Sequence, residues 1–213
     1  DLHLPYLSEE LRRAVNLDQK FIDLHDFTFH PALPGVAFMG MFEQFGSYFV
    51  SAELQARWIA ACWSGHCPEP TSGEMAKGLA SFQLFRQFRG IITCQEVAEL
   101  FATNLGVVPS LPQYPELAPE LLYGLLAPAQ FRMEGHGRQP DARARFERNV
   151  RHFTNGQATP LTEEQLRELQ RIAAHLPEQH PLRALVPQLL PEPVAKWVVG
   201  GAVMIFVVML ITG

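Results

Sequence analysis

Apolar residues along this chain recur mostly at helical spacing, with one conspicuous exception. Residues 36–42 (VAFMGMF) form an almost continuous apolar run after the turn signal Pro34–Gly35. Such a run is typical of a strand buried on both faces of a parallel sheet. After a short loop, apolar positions at helical spacing predict a helix over 52–64. Ser51 is its expected N-cap, and Gly65 follows its end.

Further helices are indicated by their start signals. A capping serine and two capping boxes are present: Ser8, Thr93 with Glu96, and Thr162 with Gln165. A stripe of apolar residues predicts another helix over 74–88. The pattern as a whole therefore predicts a helix-rich α/β fold with one buried strand.

The last residues of the sequence differ from all the rest. Residues 197–213 (WVVGGAVMIFVVMLITG) contain no charged side chain, and Lys196 precedes them. As a helix this run would span about 25 Å, at the short end of what crosses a bilayer. A buried core helix is the alternative, but a helix that is apolar all round needs protein on every side. We expect residues 194–213 to form a single membrane anchor.

Composition excludes one class of partner and indicates a redox environment. The formal net charge is −5, so a nucleic-acid partner, which requires a clustered basic face, is not expected. Three cysteines make an odd number without disulfide spacing, which favours a reducing compartment.

Two motifs suggest chemistry without supporting it. Cys62, His66 and Cys67 are metal-ligand types, but a fourth ligand at a usual spacing is missing, so no metal site is predicted. The segment 135–140 (GHGRQP) begins like a dinucleotide fingerprint. Its third glycine position is a proline and no βαβ unit surrounds it, so we interpret it as a turn. No catalytic residue can be assigned.

The strand–loop–helix over 36–64 is the most suggestive element. A loop at the carboxyl end of a buried strand, followed by a helix start, offers free backbone N–H groups to phosphate or anionic oxygen. An ordinary strand-to-helix connection is the alternative, and the pattern alone favours it.

Longer stretches of the sequence resemble the flavin-containing monooxygenases. Residues 40–58 (GMFEQFGSYFVSAELQARW) match that family's strand end, its glycine loop and its Glu-Leu-Gln-Ala-Arg-Trp helix. Residues 123–132 (YGLLAPAQFR), followed by the 135–137 turn, resemble a later family segment. The apolar tail is similar to that of the membrane-bound members.

The resemblance implies the C-terminal part of a flavoprotein fold with two dinucleotide-binding domains, followed by a transmembrane helix. Residues 1–66 would complete the FAD-binding domain, with the strand 36–42 and the helix 52–64. Residues 67–160 would be a helical family-specific region, and 161–193 an amphipathic helix with a proline-rich linker. The N-terminal part with both dinucleotide fingerprints is not in this sequence, so the chain by itself is expected to be inactive.

The resemblance also implies a chemistry. NADPH would reduce FAD, and a flavin C4a-hydroperoxide formed with O₂ would oxygenate a soft amine or sulfide. Gly46 and Ser47 would lie along the flavin edge, and Gln55 would reach toward the nicotinamide. Arg57 could serve there too, or be structural. A membrane-anchored position with the domain on the cytosolic side is expected, at the endoplasmic reticulum in a eukaryote.

A non-catalytic role is the alternative. The chain could be a tail-anchored interaction module derived from the same family. Its partner surfaces would then be the helix that begins near Thr162 and the proline-rich residues 177–193.

Overall fold

The structure, a computed structural model, describes residues 4–18, 21–88, 92–157 and 161–174. The chain divides after Gly106 into two compact units, 1–106 and 107–213. The α-helices and β-strands in the described ranges are α1 (Glu9–Ala14), β1 (Gln44–Phe45), α2 (Phe49–Trp63), α3 (Ser72–Phe88), β2 (Ile92–Thr93), α4 (Cys94–Leu105), α5 (Ala118–Tyr123), α6 (Ala142–Phe153) and α7 (Glu163–Ala174). They agree with the predicted helix-rich α/β class. The unit boundary falls inside the predicted 67–160 segment, and the functional division of the chain stays a prediction.

The predicted helix starts are confirmed where a local capping box defines them. The Thr93 hydroxyl accepts from the Glu96 N–H at 3.3 Å, and the Glu96 carboxylate accepts from the Thr93 N–H at 2.7 Å. Thr162 and Gln165 exchange the same pair of bonds before α7. Ser8 accepts from the Leu11 N–H before α1. Each box satisfies backbone donors that a helix start leaves without intrahelical partners.

The prediction of a buried strand over 36–42 is wrong. Val36 is 41% exposed and Met39 is 50% exposed, and Gly40 has φ +72°, which no extended strand adopts. The regular strand near this position is β1, which is only two residues long. The apolar residues of the run are instead placed by irregular backbone, which a hydropathy pattern cannot distinguish from a strand.

A buried glutamine takes over the backbone bonding that a neighbouring strand would have supplied. The Gln55 side chain is fully buried, and its Oε1 accepts from the Gly40 N–H at 2.8 Å. Its Nε2 lies within donating distance of three oxygens: Phe27 O at 3.2 Å, Thr28 Oγ1 at 2.8 Å and Phe38 O at 3.1 Å. One side chain of α2 therefore connects two stretches of irregular chain to a helix.

Helix α2 begins earlier than the sequence predicts. Ser51 is not its N-cap: the helix starts at Phe49, and Ser51 lies fully buried in its first turn. The Ser51 hydroxyl donates to the Cys94 carbonyl at 3.4 Å, so a tertiary contact uses the group that was expected to cap the helix. The predicted end is confirmed, since Gly65 follows the helix with φ +75°.

Aromatic rings fill the space between α2, α4 and the irregular chain of the first unit. Phe42 contacts Phe27 and Phe101, with ring centroids 6.1 and 5.6 Å apart. Trp58 meets Phe29 edge to face at 5.0 Å. Trp58 is therefore a core residue. Edge-to-face pairs of this kind add roughly 0.5–1.5 kcal/mol each beyond the area they bury.

The second unit packs its helix α6 through one face and exposes charge on the other. Phe146 is fully buried, and Ala142 lies beside it in the same apolar cluster. On the outer face, Arg143 bonds Glu116 at 2.6 Å and Glu147 at 2.9 Å. The arginines of α6 are thus partly neutralised by acids, which is typical of a solvated helix face.

No helix within residues 4–18, 21–88, 92–157 and 161–174 is long and apolar enough to cross a bilayer. The predicted anchor 194–213 and the proline-rich residues 177–193 lie outside these ranges.

We predict that Gln55→Leu lowers the free energy of unfolding by about 2–4 kcal/mol, because it leaves the Gly40 N–H and the Phe38 carbonyl buried without partners. Urea denaturation of the purified protein measures this change. Gln113→Leu is the matched control, because Gln113 is exposed and the change should stay within about 0.5 kcal/mol. Equal effects of the two variants would contradict the structural role of Gln55.

A second prediction concerns Glu99 on α4, where burial raises the pKa of the carboxyl from 4.5 to about 7. Between these values the native state holds the proton more tightly than the unfolded chain, so the free energy of unfolding falls as the pH rises. From pH 4.5 to pH 7.5, the protein should lose roughly 1–3 kcal/mol relative to Glu99→Gln. Denaturation at both pH values checks this, with Glu164→Gln at an exposed position expected to follow the unmodified protein.

Candidate functional site

Two short parallel strands lead into the starts of two helices. Strand β1 pairs with β2 in the register Gln44 to Ile92 and Phe45 to Thr93. Helix α4 begins directly after β2, and α2 begins after a three-residue connection from β1. Because parallel strands end at the same edge, both helix starts lie on that side of the pair. This arrangement matches the carboxyl edge at which α/β proteins bind ligands.

The connection between β1 and α2 contains the first two predicted site residues, and both are exposed. Gly46 has φ +107°, and a Cβ at this position would lie 2.6 Å from the Cys94 Sγ. Only glycine therefore fits between the connection and α4. The Ser47 carbonyl accepts from the Gln44 side-chain amide at 2.6 Å.

Within the described residues, the start of α2 lacks a side-chain cap, as do the starts of α5 and α6. The N-cap residue of α2 is Tyr48. Side chains do cap α1, α3, α4 and α7, through Ser8, Thr71 with Glu74, Thr93 with Glu96, and Thr162 with Gln165. The first turn of α2 also contains no acidic residue. The positive end of this helix therefore remains available to an anionic or hydrogen-bond-accepting group.

Large apolar side chains surround this helix start. Phe45 is 76% exposed and Phe49 is 86% exposed. Tyr48 stacks on Phe42 with ring centroids 4.8 Å apart, and its hydroxyl donates to the Gly40 carbonyl at 2.6 Å. Burial of the phenol raises the pKa of Tyr48, so the hydroxyl stays protonated as a donor. Exposed rings next to free N–H groups form a surface suited to a flat heterocycle with an anionic edge.

The other two predicted site residues lie farther along α2. Gln55 is about 9 Å from the helix start by axial rise, and Arg57 about 12 Å. The Gln55 amide is bonded inside the unit at both ends, as described above. Arg57 is half-buried and engages in contacts within the chain. The structure thus brings Gly46 and Ser47 together at the helix start but does not place Gln55 or Arg57 there, and all four assignments stay predictions.

Sequence reasoning missed Tyr48 and Cys94 as parts of this region. Tyr48 fixes Gly40 from the solvent side, and Cys94 forms the wall against which Gly46 packs. No signal in the sequence indicated Tyr48 as the residue before the helix, because Ser51 was expected to be the N-cap. Nothing near Cys94 in the sequence indicated its contact with a glycine 48 positions earlier.

The region fits one part of a flavin dinucleotide and not another. A helix start without a side-chain cap, next to exposed rings, suits the polar edge of an isoalloxazine ring. The phosphates would need a glycine fingerprint, and this sequence has none, since the 135–140 segment fails at Pro140. The structure shows that segment as a turn, with Gly135 at φ +66° and Gly137 at φ +77°.

Comparisons with known proteins agree with the resemblance inferred from the motifs. The family model described as flavin-binding monooxygenase-like matches residues 1–166. Dimethylaniline monooxygenase (N-oxide-forming) 2 of Cavia porcellus is 29% identical over 153 residues, covering 65% of this chain and 28% of that protein. Dimethylaniline monooxygenase (N-oxide-forming) 4 of Mus musculus is 32% identical over 158 residues, covering 67% and 27%. Flavin-containing monooxygenase 3 of Canis lupus familiaris is 28% identical over 151 residues, covering 65% and 28%.

The chain spans less than a third of the length of these relatives. The family match nevertheless extends from the first residue through both compact units to the first part of α7. It includes the connection of Gly46 and Ser47, helix α2 and the 135–137 turn. The chain belongs to the flavin-binding monooxygenase-like family.

Proposed function

We propose that this chain is the C-terminal part of an FAD- and NADPH-dependent monooxygenase that oxygenates soft nitrogen or sulfur nucleophiles. Family membership supports monooxygenase function in general. The relatives in the guinea pig and the mouse are named for N-oxide formation on an amine, which suggests the substrate class. The dinucleotide phosphates would be bound by a part of the enzyme outside this sequence.

The observation on which this proposal rests is the start of α2 without a capping side chain. Within the described residues, its N–H groups have no side-chain acceptor, and the exposed Phe45 and Phe49 lie next to them. When bound, FAD would accept hydride from NADPH and allow one oxygen atom of O₂ to be transferred to the substrate. The positive helix end would favour negative charge on the reduced flavin ring, at typically 0.3–1 kcal/mol per charge.

The residues of the connection would have distinct tasks. Gly46 would let the connection lie close against Cys94, where a Cβ would not fit, and would thereby set the position of the backbone at the ring. Ser47 would present a hydroxyl to the polar edge of the ring. Phe45 and Phe49 would exclude water from the ring faces, which strengthens every polar contact made there.

Gln55 would act on this site through the backbone. Its amide is bonded within the unit, which favours a positioning role over direct contact with the nicotinamide. It binds the Gly40 N–H while Tyr48 binds the Gly40 carbonyl, so both hold the segment that leads to β1. Arg57 would face the nicotinamide side or serve the fold, as the resemblance allows.

We also propose that residues 194–213 anchor the enzyme in a membrane, with the folded part on the cytosolic side. The apolar length of 197–213 and the adjacent Lys196 support this location. Extraction of the native protein from membranes should therefore require detergent and resist high salt and alkaline carbonate.

A charge placed next to the start of α2 tests the flavin proposal. In the full enzyme produced in its native host, Ser47→Asp should weaken FAD binding about tenfold or more. The variant should also make the flavin reduction potential more negative, because a carboxylate would repel the reduced ring. Flavin fluorescence titration and spectroelectrochemistry measure the two effects. Ser8→Asp is the matched control, since it introduces the same charge at a helix start in which Ser8 already serves as the cap.

Two outcomes would overturn parts of the proposal separately. A native protein without bound flavin and without flavin-dependent oxygenation would contradict the monooxygenase function and favour the interaction module. A flavoprotein in which the Ser47 and Ser8 variants bind FAD equally would keep the function but contradict the placement of the flavin at α2.

A further inference from the structure

Two cysteines meet where α2 ends. The helix finishes at Trp63, and Gly65 reverses the chain with φ +75°. The N–H groups of His66 and Cys67 then both donate to the Ala61 carbonyl, at 2.9 and 3.3 Å. This return brings the Cys67 Sγ to 3.2 Å from the Cys62 Sγ.

The two thiols differ in exposure. Cys62 is buried at 8% exposure, and its Sγ also lies 3.6 Å from the Pro68 carbonyl. Burial, followed by the hydrogen bond with Cys67, raises the pKa of Cys62 to about 12. Cys67 is half-buried on the turn and can be reached from solvent. Cys67 is therefore the thiol that an oxidant from solvent reaches first, with Cys62 protonated behind it.

The third cysteine is held elsewhere. The Cys94 Sγ contacts the connection at Gly46 and donates to the Gln95 side chain at 3.1 Å. Within the described residues, no group of three His, Cys, Asp or Glu side chains could hold a metal ion. The His66 ring bonds the Ser64 hydroxyl at 2.8 Å. In the part of the chain that the structure describes, the 62–67 pair is thus a dithiol that belongs to no three-ligand metal group.

We propose that Cys62 and Cys67 form a redox-active dithiol that closes to an intramolecular disulfide when the protein meets a hydroperoxide. The Cys67 thiolate attacks the peroxide oxygen, the O–O bond breaks, and Cys67 becomes a sulfenic acid while water or an alcohol leaves. The Cys62 sulfur then attacks the Cys67 sulfur, the S–O bond breaks, and the hydroxyl group leaves with the Cys62 proton as water. Two thiols are oxidised by two electrons and one peroxide is reduced by two.

The geometry requires little movement for this step. A disulfide has an S–S bond of about 2.05 Å, so the sulfurs must approach by about 1.2 Å. The turn that carries Cys67 lies outside any helix or strand, so the side chain can rotate toward the fixed helix end. The resulting bond would fix residues 62–67 and shield Cys67 from further oxidation to sulfinic acid.

Peptide mapping after mild oxidation tests the proposal on the full chain. The reduced protein is treated with hydrogen peroxide, the remaining thiols are alkylated, and the intact mass is measured. We expect a loss of two hydrogen atoms, a crosslink between Cys62 and Cys67, and full reversal by dithiothreitol. The control variant Cys94→Ser should behave identically, because Cys94 takes no part.

Variants of the pair separate a redox dithiol from two thiols that only share a hydrogen bond. Cys62→Ala should lose the crosslink and accumulate sulfinic acid on Cys67. Cys67→Ser changes the more exposed position and should leave Cys62 alkylatable only after unfolding, which keeps the test informative if the buried variant fails to fold. Direct sulfinic acid formation on Cys67 in the unmodified protein, or a crosslink to Cys94 or between molecules, would overturn the proposal.

Discussion

The amide of Gln55 is the contact on which the first compact unit depends. The chain from Phe27 to Gly40 has few regular backbone ladders, yet Thr28, Phe29, His30, Leu33 and Phe38 are buried. Buried N–H and carbonyl groups need partners, and a buried orphan costs about 1–3 kcal/mol. One side chain provides partners for several of them at once. The aromatic packing around Phe42 is possible because this segment is held against the helix.

Helix α2 connects three chemically different places in the unit. At its start it presents N–H groups without a side-chain cap beside Gly46 and Ser47, and in its middle it holds the irregular chain through Gln55. At its end it positions Cys62 against Cys67. These three places lie along one regular helix that packs against α4. The Ser51 hydroxyl in the first turn of α2 donates to the Cys94 carbonyl at the start of α4. Gly46, which precedes α2, packs against the Cys94 side chain.

The successes and errors of the sequence predictions have one physical explanation. Capping boxes such as Thr93 with Glu96 were predictable because donor and acceptor lie three residues apart and need no tertiary partner. The strand over 36–42 and the N-cap at Ser51 were wrong because each depended on what distant residues supply. The backbone of the run is bonded partly by Gln55, and the Ser51 hydroxyl is used by Cys94. The family was predictable because several family motifs occur in the expected order, even where hydropathy is ambiguous. The family match over residues 1–166 confirms it. Within the candidate site, the motif predicted the connection of Gly46 and Ser47 but did not predict that Gln55 is buried.

Two large aromatic rings at the start of α2 are exposed to solvent. Phe45 and Phe49 each leave more than three quarters of their surface in water, although two such residues would normally bury apolar area worth roughly 1.5–3 kcal/mol apiece. The pair of strands beside them is only two residues long, whereas parallel sheets are ordinarily covered on both faces. A surface with helix N–H groups that no described side chain caps, uncovered rings and a minimal sheet has polar and apolar demands in one place. A flat heterocycle with an anionic edge meets both demands together, whereas an apolar partner alone would bury the N–H groups without acceptors. This combination is the physical argument for the proposed placement of the flavin at this surface.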